Sequence, residues 1–459
     1  MAEDYRRIAD RIAADIASGR LEPGGRLPPQ RVFARRRGIA GSTAGRVYGE
    51  LVRRGLVVGE VGRGTFVRAS PVPSGRALAE PATAAPVNLE LNYPSAPGQS
   101  ELLAAGLAPL LRPDVLAEAT RTASAAGTRA AREAAAGLLA TEGWRPAPDR
   151  LLFAGNARQA IAGALASLVP PGGRLGVESL TYPLVREIAA RLGVVPVPLA
   201  MDEQGLCPDA LAAAHRSAPL AAVYVQPTLH NPTSVTMRAG RLRELADTVR
   251  DLGLPVVEDR IWSFLQEDGD PLAAYAPERT YVVDGLSKRV APGLTVGFLV
   301  VPEEQEEQEE PEEPERPEEG AGRGEAAAAG ALRSGGWTAG RFALEAAVRW
   351  IGDGTVARLV AAKRADAAER QRLVAEHLAG FAVRADPRAY YAWWELPEPW
   401  RADTFTAAAA QRGIAVTPGP AFGSGQGAAD AVRLGLASAP LPELARALRT
   451  LAGVACTRP

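Results

Sequence analysis

The chain has 459 residues, of which 47% are hydrophobic and 23% are charged, with a formal net charge of −1. This length fits two to four domains and excludes a small disulfide-dependent protein. Only two cysteines and three histidines occur, without metal-ligand spacing, so we expect no disulfide framework and no metal site.

The N-terminus, MAEDYRRIAD, lacks the apolar core of a signal peptide. No uninterrupted apolar run reaches the roughly 18 residues that a transmembrane helix needs. We therefore expect no membrane partner and a cytoplasmic location.

Charge is distributed unevenly along the chain. Residues 1–70 hold fourteen Arg and seven Asp or Glu, a balance of +7. The segment Glu303–Glu319 holds eleven Glu and one Arg. A basic first domain ahead of a near-neutral body indicates an anionic partner for that domain. We interpret the acidic segment as a solvated tether. The alternative is that it mimics DNA and competes with DNA for the basic first domain.

Lysine is rare in this chain. Of 52 basic residues, only Lys288 and Lys363 are lysines. Where arginine supplies nearly every positive charge, a remaining lysine is a candidate for the work of a primary amine. Composition does not say which of the two does that work.

Composition divides the chain into segments. Residues 1–69 are Arg-rich and patterned, and residues 70–87 form a Pro/Ala-rich linker. Residues 88–459 form a second domain, interrupted at 302–335 by an acidic low-complexity insertion that we expect to be disordered.

The first domain begins with three short helical patterns. Apolar residues spaced three and four apart predict a helix that ends near Gly19. A Pro-Pro pair opens a second predicted helix, over residues 30–37. Ser42 or Thr43 can cap the N-terminus of a third helix.

A strand–turn–strand pattern follows the third helix, where LVV and TFV flank GEVGRG. Three helices and a hairpin describe a winged helix-turn-helix. In that fold the third helix enters the major groove by its N-terminal end, and arginines neutralise phosphates. We therefore predict that the first domain binds double-stranded operator DNA.

The same stretch resembles the GntR family over nearly all of residues 5–68, through YRRIADRIAADIASGRLEPGGRLPPQR, STAGRVYGELVRRGLV and GRGTFV. The family often has Arg where Gly41 stands, so the operator sequence does not transfer. The resemblance places six residues at or beside DNA-contact positions, namely Arg31, Ser42, Thr43, Arg46, Arg63 and Gly64.

The second domain alternates short apolar runs with amphipathic stretches, as βαβ units do. The runs are continuous, which is typical of strands buried on both faces of a mainly parallel sheet. We therefore predict an α/β domain. Its candidate strands are Arg174–Glu178, Ala222–Gln226, Pro255–Asp259, Thr280–Asp284 and Thr295–Val301.

Polar residues stand at the carboxyl ends of these strands, where open α/β sheets place their sites. Lys288 follows one strand, Asp259 ends another, and Asn231 lies in a loop after a third. The Gly155-Asn156 turn precedes an apolar helix.

These groups suit pyridoxal 5'-phosphate. The amine of Lys288 can form an aldimine with its aldehyde, and Asp259 can pair with its pyridinium nitrogen. Asn231 can bond the ring hydroxyl oxygen, Tyr182 can stack on the ring, and the Gly155 turn can present helix N–H groups to the phosphate.

Residues 88–459 resemble the fold-type I aminotransferases, through AGNARQAI, QPTLHNPT, VVED, LSKRVAPGL and VRLGLA. With the first domain, the whole chain resembles the MocR subfamily of GntR regulators. The resemblance implies the same roles for Lys288, Asp259, Asn231 and Tyr182, and makes Arg433 the arginine that grips a substrate carboxylate. It also implies a homodimer that reads paired half-sites.

The chain departs from that pattern around the phosphate. Gly285 replaces the family serine and Thr295 the family arginine, although Ser287 and Thr295 compensate in part. Trp262 replaces a tyrosine that tunes the ring oxygen. We therefore expect cofactor binding to survive better than turnover.

We accordingly predict a regulator that senses an amine, an amino acid or pyridoxal phosphate through an aldimine at Lys288. Whether the chain is also an enzyme is open, with at most weak transaminase activity expected. One alternative is a working aminotransferase with a vestigial DNA-binding domain. Another is a cofactor-free regulator that uses the transferase fold as a dimer scaffold.

Overall fold

The structure, a computed structural model, describes residues 5–17, 20–21, 25–53, 56–60, 64–67, 85–303, 323–423 and 430–457. Arg63, most of the predicted linker and nearly all of the acidic segment therefore lie outside the described residues. Within the described part of the chain, no helix is both long and apolar enough to span a membrane.

The first domain packs three helices beside a three-stranded sheet in which the third strand is central and antiparallel to the other two. Ile8, Val47 and Leu51 are fully buried in its core. The predicted winged helix-turn-helix is confirmed. Its elements are α1 (Tyr5–Ala17), β1 (Arg26–Leu27), α2 (Gln30–Arg37), α3 (Gly41–Arg53), β2 (Val57–Glu60) and β3 (Gly64–Val67).

The start of α3 differs from the sequence prediction. The helix begins at Gly41, and the N–H of Ala44 donates to the carbonyl of Ala40 at 3.0 Å. Ser42 and Thr43 therefore lie in the first turn, and the prediction that one of them caps the helix was wrong. Side-chain preference alone did not locate the cap, since two consecutive residues here are good N-cap types.

The described helices of the second domain are α4 (Gln99–Leu107), α5 (Pro113–Ala119), α6 (Arg129–Leu139), α7 (Ala157–Leu168), α8 (Pro183–Arg191), α9 (Pro208–Ser217), α10 (Ala239–Asp251), α11 (Leu286–Arg289), α12 (Arg323–Ser334), α13 (Arg341–Gly352), α14 (Thr355–His377), α15 (Ala402–Ala410) and α16 (Leu441–Ala455). Its described strands are β4 (Val87–Leu89), β5 (Leu151–Ala154), β6 (Arg174–Glu178), β7 (Val195–Leu199), β8 (Met201–Asp202), β9 (Gly205–Leu206), β10 (Ala222–Val225), β11 (Val256–Asp259), β12 (Thr280–Gly285), β13 (Gly297–Val300), β14 (Ala382–Ala385), β15 (Tyr391–Glu395), β16 (Ile414–Pro418) and β17 (Ala431–Gly435).

A seven-stranded sheet in the order β5-β13-β12-β11-β10-β6-β7 forms the centre of the second domain. Only β13 runs antiparallel to its neighbours among these strands. The predicted mainly parallel α/β sheet is confirmed. The candidate strands correspond to β6, β10, β11, β12 and β13, and apolar clusters cover both faces of the sheet.

A second sheet has the order β14-β15-β17-β16-β4. β4 runs parallel to β16, with Val87 opposite Ile414. Val87, the last residue of the predicted linker, is therefore already part of this sheet. β17 carries Arg433, and β15 packs Trp394 into the adjacent core.

Part of the predicted disordered insertion is helical. α12 lies within residues 302–335, and its Ala328 and Leu332 are fully buried. A Cβ added at Gly163 of α7 would stand 2.5 Å from Leu332 Cδ2, so the two helices are in close contact. The expectation of disorder was wrong for α12. Its sequence is rich in alanine, the best helix former, and the low complexity of that sequence did not prevent its apolar residues from being buried.

Candidate functional site

Lys288 lies on the short helix α11, directly after the fully buried strand β12. Its Nζ donates to the carbonyl of Asn92 at 2.7 Å. The same nitrogen is 4.4 Å from the ring centroid of Tyr93 and 5.0 Å from that of Trp262. The amine is thus held between two aromatic rings instead of projecting into solvent.

The surroundings of Lys288 disfavour its charged form. Burial lowers the pKa of the amine to about 7, and the positive charges of Arg158, Arg433 and Lys363 act in the same direction. A substantial fraction of the amine is therefore unprotonated at neutral pH. An unprotonated lysine is a nucleophile, so this environment prepares Lys288 for attack on a carbonyl.

Asp259 ends β11 and is 3% exposed. Its Oδ2 accepts from the Tyr224 hydroxyl at 2.6 Å and from Gln226 Nε2 at 2.9 Å, while Oδ1 accepts from the N–H of Ile261 at 3.0 Å. Burial raises the pKa of Asp259, and these donors oppose the rise. A carboxylate has about four lone-pair positions, so one remains for a further donor.

Asn231 lies in the loop after β10 and is also buried. Its backbone N–H donates to Gln226 Oε1 at 3.3 Å, and Gln226 in turn bonds Asp259. Asn231 Oδ1 is buried without a hydrogen-bond partner among the described residues. A buried acceptor without a donor is costly, which indicates that a ligand donor completes it.

Tyr182 precedes α8 and shares hydrogen bonds with Arg158 of α7, which also bonds Tyr93. Burial raises the pKa of Tyr182 to about 12, so its hydroxyl stays protonated. Tyr93, which contacts the amine of Lys288, thereby connects the predicted stacking residue to the predicted nucleophile.

The predicted phosphate turn forms the N-terminus of α7. Asn156 is the N-cap, and its Oδ1 accepts from the N–H of Gln159 at 3.0 Å. The N–H of Gly155 donates to the carbonyl of Trp337 at 2.9 Å. The turn therefore offers the N–H groups of Ala157 and Arg158, which precede the first intrahelical bond.

The structure explains why residue 285 is glycine. A Cβ there would lie 2.7 Å from the carbonyl oxygen of Val296, so the backbone at the start of β13 occupies the space that a serine would need. Thr295 directly precedes Val296, and its Oγ1 is buried without a hydrogen-bond partner in the described chain. Ser287 is half-buried beside Lys288.

Trp262 is 5% exposed and packs among aromatic rings. It stacks on Phe264 at 6.3 Å and meets Tyr391 edge-on at 5.5 Å between ring centroids. Lys288 Nζ lies over its ring, so this side chain forms one wall of the site. The geometry supports one role for Trp262, which is to pack against Lys288.

Arg433 lies on β17 and is 3% exposed, so its side chain is buried instead of facing solvent from the sheet. Its Nη2 donates to the carbonyl of Glu90 and, at 3.2 Å, to Thr417 Oγ1. Its Nε is buried without a partner in the described residues, and burial lowers its pKa to about 10. An incompletely paired, buried guanidinium suits an anionic ligand.

On the first domain, the predicted DNA contacts are placed as follows. Arg31 on α2 and Ser42 and Arg46 on α3 are exposed, and Thr43 is half-buried. The guanidinium of Arg46 lies 5.3 Å from the Tyr5 ring. Gly64 opens β3 with φ 126°, a conformation that favours glycine.

Several residues of the site were missed by the sequence reasoning. Asn92 and Tyr93 contact Lys288 across 195 or more positions, and no local pattern marks them. Arg158 lies in the helix predicted after the Gly155-Asn156 turn, and the sequence assigned it no role in the site. Tyr224, inside a buried strand, carries no signal that its hydroxyl bonds Asp259.

Comparison with known families assigns both domains. The family described as "Aminotransferase class I and II" matches residues 112–451, about three quarters of the chain. The family described as "Bacterial regulatory proteins, gntR family" matches residues 4–67. The order of the two is that of the sequence prediction.

Curated relatives are named as HTH-type transcriptional regulators. The chain is similar to the "Uncharacterized HTH-type transcriptional regulator YdeF" of Bacillus subtilis, with 28% identity over 90% of this chain and 85% of the relative. It is 26% identical to the "HTH-type pyridoxine biosynthesis transcriptional regulator PdxR" of Corynebacterium glutamicum, over 65% of this chain and 66% of that protein.

Solved structures show the same fold for the second domain. An archaeal alanine:glyoxylate aminotransferase aligns with a TM-score of 0.69 at 19% identity, over 80% of this chain and 90% of that one. Pyrococcus horikoshii kynurenine aminotransferase aligns with a TM-score of 0.69 at 20% identity, over 81% and 91%. With a GntR-family domain followed by an aminotransferase class I and II domain, the chain belongs to the MocR subfamily of GntR-type transcription regulators.

Proposed function

We propose that this regulator binds operator DNA through its first domain and holds pyridoxal phosphate at Lys288 in its second. The observation that carries the proposal is the half-buried Lys288 side chain, whose amine has a pKa of about 7 and lies against the rings of Tyr93 and Trp262. The orphaned Oδ1 of Asn231 and the remaining acceptor position of Asp259 fit the polar groups of the same cofactor.

In this proposal Asp259 accepts from the ring nitrogen, Asn231 meets the ring hydroxyl and Tyr182 covers the ring face. When bound, pyridoxal phosphate supplies an aldehyde that reacts reversibly with amines and a ring that withdraws electrons. The phosphate would be held by the Gly155-Asn156 turn before α7 and by the hydroxyl groups of Ser287 and Thr295.

The residues of the chain prepare that chemistry by controlling protons. Lys288 offers an unprotonated amine near neutral pH, because it is desolvated and because the charged side chains that shift its pKa, namely Arg158, Arg433 and Lys363, are all positive. The hydrogen bonds from Tyr224, Gln226 and Ile261 favour the ionised form of Asp259 against the effect of burial. An ionised Asp259 would hold a proton on a ring nitrogen beside it.

The effector in this proposal is a small amine or amino acid, or the cofactor itself. Arg433 supports a carboxylate on the effector, because its buried Nε lacks a partner in the described chain. The name of the relative PdxR refers to pyridoxine biosynthesis, which makes a vitamin B6 compound one candidate.

The DNA-binding surface in this proposal comprises Arg31, Ser42, Thr43, Arg46, Arg63 and Gly64. Exposed arginines on α2 and α3 would neutralise phosphates, and α3 would enter the major groove. We propose a cytoplasmic homodimer whose two first domains contact paired half-sites. Effector binding alters DNA affinity only if the effector prefers one of two arrangements of the dimer.

We propose sensing instead of sustained turnover because of Trp262. An indole at this position packs against Lys288 and cannot supply the phenol oxygen that the aminotransferase resemblance implies. We therefore expect cofactor binding to persist while turnover is impaired.

Operator binding measured with and without pyridoxal phosphate, and then with candidate amines, tests the proposal. We expect the ligands to change the affinity of the wild type but not of Lys288→Ala. An operator affinity that is indifferent to every ligand, combined with many turnovers of an amino donor and a keto acid, would favour the aminotransferase alternative. Ligand-independent binding without turnover would favour the scaffold alternative.

A further inference from the structure

Both lysines of the chain lie at the same site. Lys288 is on α11, and Lys363 is on α14, 75 residues further along. Lys363 is completely buried, and within the described residues its ammonium forms no ion pair with a carboxylate. A buried ammonium without a counterion is costly, so its contacts call for an explanation.

The contacts of Lys363 are all with the backbone that carries Lys288. Its Nζ donates to the carbonyls of Lys288 at 3.0 Å, Arg289 at 3.1 Å and Val290 at 2.7 Å. α11 has only four residues, so its own hydrogen bonds leave these carbonyls without helical partners. One side chain therefore satisfies three consecutive carbonyls at the end of this turn.

The geometry requires a lysine instead of an arginine. An ammonium is compact and carries three donors that can converge on three oxygens around one nitrogen. A guanidinium is planar and spreads its donors in a rigid fork, which suits a carboxylate better than three converging carbonyls. In a chain with fifty arginines, a lysine at this position agrees with that requirement.

The backbone of α14 at Lys363 is held in turn. The hydroxyl of Tyr390 donates to the carbonyl of Lys363 at 2.7 Å and also contacts Asp366 Oδ2 at 2.9 Å. Tyr390 is fully buried and lies 6.2 Å from Trp262 between ring centroids. Tyr390 therefore links the backbone of Lys363 to Trp262, the ring against which Lys288 packs.

We propose that Lys363 is a positioning residue: its buried ammonium fixes the carbonyls of residues 288–290 and so aims the Lys288 amine into the site. This inference rests on the proposed role of Lys288 as the residue that holds pyridoxal phosphate. Lys363 also adds positive charge near that amine, together with Arg158 and Arg433. Burial lowers the pKa of Lys363 itself to about 8, so it is still largely charged at pH 7.

The test compares Lys363→Met, Lys363→Gln and Lys363→Arg with the wild type. Methionine removes the donors and the charge, glutamine keeps two donors without charge, and arginine keeps the charge with the wrong geometry. The first readout is the pH profile of reductive methylation of Lys288, read by peptide mass. Because only one other lysine exists in the wild type, each product is assigned without ambiguity.

We expect the methylation midpoint of Lys288 to lie near pH 7 in the wild type and to move upward in Lys363→Met and Lys363→Gln, because a like charge is removed. The second readout is the affinity for pyridoxal phosphate. We expect a loss of at least about tenfold in Lys363→Met and in Lys363→Arg, equivalent to one lost charge-assisted hydrogen bond, and a smaller loss in Lys363→Gln.

An unchanged midpoint together with unchanged affinity in a folded variant overturns the inference. If Lys363→Met does not fold, Lys363→Gln and Lys363→Arg decide the outcome by the same two readouts. If wild-type protein does not bind pyridoxal phosphate, the proposed function fails, and the positioning role then stands only if Lys363→Arg, which keeps the charge, still alters the methylation profile of Lys288.

Discussion

Lys288 connects the chemistry of the site to the stability of the fold. Its pKa is about 7 in the folded chain, compared with 10.5 for an ordinary lysine. Between those values the unfolded chain binds more protons, so this residue makes the free energy of unfolding increase with pH. Burial is the main cause of the lowered pKa, which means that folding carries a cost when the amine is charged.

The first prediction is therefore that Lys288→Met is stabilised relative to wild type at pH 7, and that its advantage shrinks towards pH 10. Urea denaturation at several pH values measures the difference in the free energy of unfolding between Lys288→Met and wild type. Titratable groups that the two proteins share contribute equally to both and cancel in this difference. A difference that is constant with pH would contradict the assigned environment of Lys288.

The second prediction concerns Asp259. Asp259→Asn should weaken the binding of pyridoxal phosphate, because an amide cannot pair as an anion with a protonated ring nitrogen. A charge-assisted hydrogen bond contributes about 1.5–3 kcal/mol, so the loss should be about tenfold or more. Absorbance titration measures it, with Asp209→Asn on α9 as the matched control. Equal affinities for the two variants would count against the role of Asp259.

At the residue scale, the sequence was informative wherever a polar side chain follows a recognisable strand. Lys288, Asp259 and Asn231 could be named because the carboxyl ends of parallel strands converge. Asn92 and Lys363 could not be assigned contacts with α11, because segments distant in sequence bring them there.

At the scale of elements, strands were predicted better than caps and insertions. Continuous apolar runs identify β6 and β11 almost to the residue, since strands covered on both faces leave little polar alternation. α12 was missed because its alanine-rich sequence looks like the low complexity beside it. Its docking depends on α7, a tertiary contact that no local pattern reports.

The third prediction tests the docking of α12. Leu332→Ala should lower the free energy of unfolding by about 2–5 kcal/mol, because the fully buried leucine fills the space above Gly163. Its exposed neighbour provides the control, and Arg333→Ala should change stability by no more than about 0.5 kcal/mol. Urea denaturation of both variants gives the comparison. Similar small effects would show that α12 does not dock on α7.

At the scale of the whole molecule, the uneven charge of the chain matches its division into a basic GntR-family domain and a near-neutral aminotransferase-like domain. The balance of +7 in residues 1–70 coincides with the GntR-family domain at residues 4–67. The two-domain order and the mainly parallel sheet were both visible in the sequence. The effector and the operator were not, because they depend on side-chain details that composition does not carry.

The fourth prediction is that DNA binding weakens steeply with salt, as expected when arginines displace counterions from phosphates. Replacing Arg31 and Arg46 together by alanine should reduce the slope of log affinity against log salt by about 2. The double variant is compared with Arg216→Ala, an exposed arginine on α9 of the second domain. An unchanged slope would place the DNA-binding surface elsewhere on the first domain.

The most direct test of the central claim is to add pyridoxal phosphate to the purified protein, reduce the mixture with borohydride and map the modified residue by mass spectrometry. The account predicts that the cofactor mass is found on Lys288, and that Lys288→Ala loses both this modification and the visible absorption band of the bound cofactor. Modification of Lys363 or of the N-terminal amine instead, or an absorption band that survives in Lys288→Ala, would contradict it.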